Sequence, residues 1–188
     1  KSVVTDMLNK ENYTGYTNTD GSANTYGSMF LGSVRDYFAD NSYGKFAPQF
    51  DVVGPVTVSY ASTDIQQFSY APSAFYEALQ ALDSSVDYSK YDADGDGYVD
   101  MVYFIAAGFG SNYSGNNTNY LWPHKSSLAG YGLWSNDGVK YGTYACSTER
   151  LGWESQSAII LDGSGSSCHE FSHVIGLRDI YDTDYETN

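Results

Sequence analysis

Residues 169–173 read HEFSH and begin the longer pattern HExxHxxGxxD. In a helix, side chains four residues apart share a face, so His169 and His173 can direct two imidazole nitrogens toward one point. Such a point suits Zn²⁺, which binds neutral histidine and keeps one coordination position open in catalytic sites. Glu170 follows the first histidine, where its carboxylate can act as general base toward a metal-activated water. The pattern therefore predicts the active helix of a zinc hydrolase.

The third zinc ligand is predicted from the residues that follow the helix. Gly176 allows the chain to leave the helix through a left-handed conformation, after which Asp179 can return as the ligand. Asp182 is a rival in the same segment. His124 is the other candidate, although a lone histidine beside Trp and Pro is more often structural. The chain has three histidines and two lie in the motif, which favours a metal site over a helix that carries two surface histidines.

Residues 92–100 read DADGDGYVD and form a second metal-type pattern. The spacing matches the first nine positions of an EF-hand calcium loop. The predicted ligands are four carboxylates and one backbone carbonyl, from Asp92, Asp94, Asp96, Tyr98 (carbonyl) and Asp100. The twelfth position holds Tyr103 instead of glutamate, so we predict an EF-like calcium loop leading into a strand over 99–107. Clustered carboxylates repel one another unless a cation neutralises them; the alternative is a solvated acidic turn.

Composition restricts the classes of partner. The chain has 188 residues, a formal net charge of -14 and a pI of about 4.2. Such an acidic chain is not expected to bind nucleic acid or anionic membranes. It contains no apolar run long enough for a transmembrane helix. Two cysteines, Cys146 and Cys168, are too few for a disulfide framework; they either pair or remain free buried thiols.

The remaining patterns indicate a mixture of helices and strands. Helices are predicted over 28–41 with Ser28 as cap, over 73–82 with Ser73 as cap, and over 163–176 with Asp162 or Ser164 as cap. Apolar residues around Gly54-Pro55 predict strand, bend and strand within 46–60. Asn136-Asp137-Gly138 predicts the turn of a hairpin over 133–144.

Four stretches together resemble a known family. They are SVRDYFADNSYGKF (33–46), DADGDGYVDMVYFIAAG (92–108), LWPH (121–124) and HEFSHVIGLRDIYD (169–182). In this order they are similar to the immune inhibitor A-like secreted bacterial metallopeptidases, which belong to the zincins. The resemblance implies a secreted zinc endopeptidase stabilised by calcium. It also implies zinc ligation by His169 and His173, a catalytic Glu170, Asp179 as third ligand and calcium at the acidic loop.

The sequence departs from that family at three places. Arg178 stands where the family has proline, which could aim Asp179 differently or pair with it. An N-terminal edge strand is missing before Lys1. All three methionines, Met7, Met29 and Met101, precede the helix, so the methionine turn that lies under a metzincin site is missing. We therefore expect a fragment, incomplete at both ends and lacking the C-terminal subdomain.

These observations lead to one prediction for the whole chain. We predict a single α+β catalytic domain over 1–188, zincin-like, with a twisted mixed sheet packed on helices. It is expected to be a secreted or cell-surface monomer that uses Zn²⁺ to hydrolyse peptide bonds of protein or peptide substrates, with Ca²⁺ bound. The alternatives are a calcium-dependent binding or adhesion module with a relic zinc site, and a zinc amidase.

Overall fold

Helices and short mixed sheets make up the described part of the chain. The computed structural model describes residues 1–16, 31–66, 69–112, 119–152 and 160–180. Its α-helices are Ser2–Asn9 (α1), Val34–Asn41 (α2), Ala71–Leu82 (α3) and Ser164–Val174 (α4). Its strands are Tyr98–Val99 (β1), Val102–Phe109 (β2), His124–Ser127 (β3), Lys140–Tyr141 (β4) and Thr143–Arg150 (β5). This confirms the α+β class.

The main sheet has three strands in the order β2-β5-β3. β2 pairs with β5 in parallel, from Val102 opposite Tyr144, and β3 pairs with β5 antiparallel, with His124 opposite Cys146. The predicted mixed sheet is therefore present. A separate parallel pair, β1 and β4, lies where the acidic loop meets the sheet.

The two faces of the sheet pack against different helices. Phe104 stacks on Phe75 of α3 with ring centroids 4.2 Å apart, and this face carries the core that includes Tyr144 and Cys146. The next residue, Ile105, packs against the core built by α1, α2 and α4. Because successive strand residues point to opposite faces, α3 covers one face of the sheet and α4 covers the other.

Two helices do not begin at the capping residues predicted from the sequence. α2 starts at Val34, because Ser33 and Asp36 form a reciprocal capping box; Ser28 lies outside the described residues. α3 starts at Ala71, with Tyr70 at the N-cap and Pro72 in the first turn, so Ser73 is not the cap.

The prediction of strand, bend and strand over 46–60 was wrong. These residues belong to none of the described strands. Gly54 has φ +82°, outside the strand region, and Pro55 has no N–H to donate to a ladder. Alternate residues of 51–60 are half-buried and exposed, so the extended segment packs through its side chains. Val52 and Val58 contact the two different cores.

Three other predictions hold in part. The strand expected over 99–107 is divided into β1 and β2. The turn of the predicted hairpin is present, with the Ser135 N–H donating to the Val139 carbonyl at 2.9 Å, but its arms meet in one isolated antiparallel bridge between Trp134 and Lys140, and β4 pairs with β1 instead. α4 spans Ser164–Val174, and its N-cap is Gly163 with no side-chain capping bond, so neither Asp162 nor Ser164 is the cap.

Among the described residues no helix combines the length and apolar character that a membrane span needs.

Candidate metal centre

Packing of α4 determines which residues face outward. Phe171 is buried among three aromatic rings, with centroid distances of 5.1 Å to Phe38, 5.2 Å to Phe50 and 6.2 Å to Phe46. Cys168, one turn earlier, is buried in the same core. Because Cys168 and Phe171 face the core, the opposite side of the helix faces outward. The side chain of His169 is 48% exposed and that of His173 is 20% exposed. The two imidazoles therefore meet at the edge of the protein.

The end of α4 is a Schellman motif. The Gly176 N–H donates to the His173 carbonyl at 3.2 Å, and the Leu177 N–H donates to the Ser172 carbonyl at 3.0 Å. Gly176 has φ +94°, the left-handed conformation predicted for it. The reversal turns the chain back along the helix and brings Asp179 to the two histidines.

Three ligand atoms form a nearly equilateral triangle. The Nε2 atoms of His169 and His173 are 3.2 Å apart, and Oδ1 of Asp179 lies 3.4 Å from each of them. Zinc bonds of 2.0–2.1 Å at tetrahedral angles require ligand atoms about 3.3 Å apart. The triangle therefore has the size of one face of a zinc tetrahedron, and these three residues fit the ion.

A further contact orients His173. Its Nδ1 lies 2.9 Å from the Leu177 carbonyl oxygen. With the Nδ1–H donating there, Nε2 carries the lone pair and faces Asp179 and His169. Metal-binding histidines commonly have such a partner on the second nitrogen. The sequence offered no signal for this contact, because the acceptor is a backbone carbonyl.

Two sequence-based expectations concern the surroundings of Asp179: that Arg178 could pair with it, and that Asp182 could replace it as ligand. Arg178 forms no ion pair with Asp179 in the described part of the chain, where Asp179 faces the histidines instead. Asp182 lies outside the described residues.

His124 does not join the triangle. Its Nδ1 lies 2.7 Å from the Trp122 carbonyl and its Nε2 lies 2.8 Å from the Tyr144 hydroxyl. It pairs with Cys146 on the sheet face away from α4. Burial lowers the pKa of His124, which favours its neutral form. The structural interpretation of this histidine is supported.

Glu170 lies beside the triangle but is buried, with 5% of its surface exposed. Burial raises the pKa of its carboxyl to about 7, while His173 lowers it and the Asp179 carboxylate raises it. A carboxylate with a pKa near neutrality is suited to accepting and returning a proton. Burial raises the pKa of Tyr103 of β2, and the nearby Glu170 charge raises it further.

The acidic loop brings three of its four carboxylates together. Oxygen atoms of Asp92, Asp94 and Asp100 lie within 4.8 Å of one another. Asp96 is outside this group, and its Oδ1 accepts the Tyr98 N–H at 2.8 Å. The ligand roles of Asp96 and of the Tyr98 carbonyl stay predictions.

Backbone amides hold the loop in shape. The Asp96 N–H lies 3.0 Å from Asp92 Oδ1 and 3.1 Å from Asp94 Oδ1, and the Ala93 N–H donates to Asp100 Oδ2 at 3.2 Å. Each carboxylate oxygen has a second lone pair, so these bonds leave acceptor capacity for a cation. The carboxylate oxygens of the loop are the donor type that calcium prefers. The hydrogen bonds from backbone amides would form equally in the alternative, a solvated acidic turn.

The two cysteines are both free and buried. Burial raises the pKa of each thiol to about 12. Of the two alternatives, the free buried thiols are the one observed.

Comparison with known proteins adds no family assignment. No protein-family model matches the chain, and no significant match was found among curated proteins. The geometry of the described residues therefore carries the functional argument.

Proposed function

We propose that this chain is a zinc-dependent endopeptidase with a zincin-like catalytic domain. The single observation that carries the proposal is the triangle formed by His169, His173 and Asp179, whose 3.2–3.4 Å edges match one tetrahedral face of zinc. Three protein ligands leave the fourth position to water or substrate, the arrangement of catalytic rather than structural zinc sites.

The residues around the triangle fit hydrolysis. A bound zinc ion would supply Lewis acidity toward water and toward the carbonyl oxygen of the scissile bond. Glu170 accepts a proton from the attacking water and returns it to the departing amine, the two roles of one general acid–base. Its pKa of about 7 keeps both protonation states available near neutral pH. His173 is held by the Leu177 carbonyl, so its ligand atom keeps its direction.

Calcium, secretion and a monomeric state belong to the same proposal. Asp92, Asp94 and Asp100 supply the hard oxygen donors that Ca²⁺ prefers. Asp94 and Asp100 are exposed and Asp92 is half-buried, so solvent competes for the ion and the affinity is expected in the range of extracellular calcium modules, about 10⁻⁴–10⁻³ M. A location outside the cell supplies calcium at such concentrations.

The test combines metal content with proteolysis. Elemental mass spectrometry of the purified chain after zinc loading should find about one zinc per chain, lost in His169→Ala and retained in His124→Ala, which removes the histidine on the opposite sheet face. Glu170→Gln should retain zinc and lose about 10²- to 10⁴-fold of its activity on a peptide library.

Other outcomes would favour the alternatives. Zinc binding without any Glu170-dependent hydrolysis, together with calcium binding, would support the binding or adhesion module. Hydrolysis of small amides but not of peptides or casein would support the amidase. A folded chain that takes up no zinc would contradict the proposal.

A further inference from the structure

A groove runs along the outer face of α3. Its volume is about 450 Å³, within the roughly 300–1,000 Å³ of ligand pockets. α3 packs through Ala71, Phe75 and Leu79 on the sheet face opposite to α4. The groove is therefore separate from the metal centre, and its role does not depend on the proposed hydrolysis.

Tyrosines form the walls of this groove. Tyr76 comes from α3, Tyr60 from the preceding extended segment and Tyr131 from the short 3₁₀ turn at Ala129–Tyr131. Two of the rings are held by neighbours: Tyr60 stacks on Tyr70 at 6.1 Å, and Tyr76 meets Tyr141 edge-on at 6.0 Å. Tyr131 is 59% exposed. The groove therefore offers preformed aromatic surface to a ligand.

The charge inside the groove is negative and fixed in place. Glu77 accepts the Ser59 N–H at 2.8 Å and the Ser59 hydroxyl at 2.6 Å, so its carboxylate is tied to the groove wall. Gln80 adds an amide, and the described residues of the lining include no lysine or arginine. The whole chain has a formal net charge of -14. A cation entering the groove meets a carboxylate that has no ion-pair partner among the described residues, with tyrosine rings beside it.

We propose that this groove binds a basic side chain, arginine or lysine, of a peptide or protein partner. The aliphatic stem of such a side chain packs on tyrosine rings while its charged head lies over a ring face or near a carboxylate. Arginine suits the site better, because its planar guanidinium both stacks on aromatic rings and binds carboxylate. The chain itself contains a cation–π contact of this kind nearby: the Lys140 ammonium lies 4.6 Å from the centre of the Trp134 ring.

The experiment uses acetyl-tetraarginine-amide as probe and isothermal titration calorimetry on the intact chain. Glu77→Gln removes the charge and can keep both contacts with Ser59. Tyr131→Ala removes the most exposed ring of the wall. Each should weaken binding about two- to fivefold, the size of one exposed cation–π contact or surface ion pair. Circular dichroism and melting temperature verify that both variants are folded.

Matched controls separate the groove from general attraction to an acidic protein. Asp40→Asn removes one exposed negative charge from α2, and Tyr43→Ala removes a tyrosine that is 94% exposed. Both should bind the probe like wild type. Equal losses in the controls and the groove variants would overturn the proposal, since the probe would then respond to net charge alone.

Two further arms identify the ligand class. Binding of tetraarginine should weaken as salt rises, because it depends on charge. Maltohexaose, a neutral oligosaccharide, should not bind measurably. Maltohexaose binding that is lost in Tyr131→Ala and unaffected by Glu77→Gln would overturn the assignment to a basic side chain and make the groove a carbohydrate site.

Discussion

The Nδ1 atom of His173 lies 2.9 Å from the carbonyl oxygen of Leu177. This bond joins a predicted ligand to the first residue after the glycine that ends α4. The turn therefore has two effects: it orients the His173 imidazole and it returns Asp179 to the ligand triangle. Residues that bind no metal themselves are thus expected to influence metal affinity.

Gly176→Ala should weaken zinc binding without touching a ligand. An alanine at φ +94° has the left-handed penalty of about 1–2 kcal/mol, although no atom of the described residues lies within 4 Å of the added Cβ. We expect a matching loss of unfolding free energy in urea for the zinc-free protein and about a tenfold loss of zinc affinity. Gly165→Ala is the control: it lies within α4 with open space around it, so it should stabilise by about 0.5–1 kcal/mol. Unchanged stability of Gly176→Ala would contradict this account of the turn.

Asp179→Asn should reduce zinc affinity by more than the roughly 10- to 100-fold that loss of an outer-shell partner costs, because it removes the carboxylate that lies 3.4 Å from both imidazoles. Competition with a chelator of known affinity measures the change. The neighbouring Arg178→Ala should bind zinc like wild type, since Arg178 forms no ion pair with Asp179 in the described region. Loss of zinc in Asp182→Asn, with none in Asp179→Asn, would assign the third ligand to Asp182.

Two substitutions in the acidic loop should differ in their effect on calcium. Asp94 belongs to the close carboxylate group, so Asp94→Asn should weaken calcium binding about tenfold or more. The carboxylate of Asp96 accepts the Tyr98 amide instead, and an asparagine can keep that bond, so Asp96→Asn should have a smaller effect. The increase of melting temperature with added calcium measures both variants. An equal loss in both would show that Asp96 turns toward the ion as the loop pattern predicts.

Asp162→Asn should change how stability depends on pH. Burial raises the pKa of Asp162 from its ordinary 3.8 to about 6, although Ser166 and the Gly163 amide lower it. Between these values the folded protein binds more protons than the unfolded one, so its stability falls as pH rises through this window and is lowest above it. The variant should therefore gain up to about 3 kcal/mol relative to wild type between pH 4 and pH 7. Urea unfolding at several pH values measures this, and the exposed Asp40→Asn serves as control. A constant difference across the window would contradict the buried, raised Asp162.

Local patterns were sufficient for the features that depend on neighbouring residues. The spacing of His169 and His173 was enough to predict a shared helix face, and Gly176 was enough to predict the left-handed exit, because 3.6 residues per turn and the freedom of glycine act over a few residues. The acidic loop was likewise recognisable from its spacing alone.

Other features depended on residues far apart in the chain. The extended segment over 46–60 has the composition of strands, yet it belongs to no described strand and packs through its side chains instead. His124 remained a candidate third ligand until its pairing with Cys146 placed it on the sheet face away from the ligand triangle. The groove along α3 draws its tyrosines from three segments. Helix phase and the left-handed helix exit are set by short-range geometry and can be predicted from the sequence, whereas sheet pairing and groove walls depend on long-range packing, which only the tertiary structure reveals.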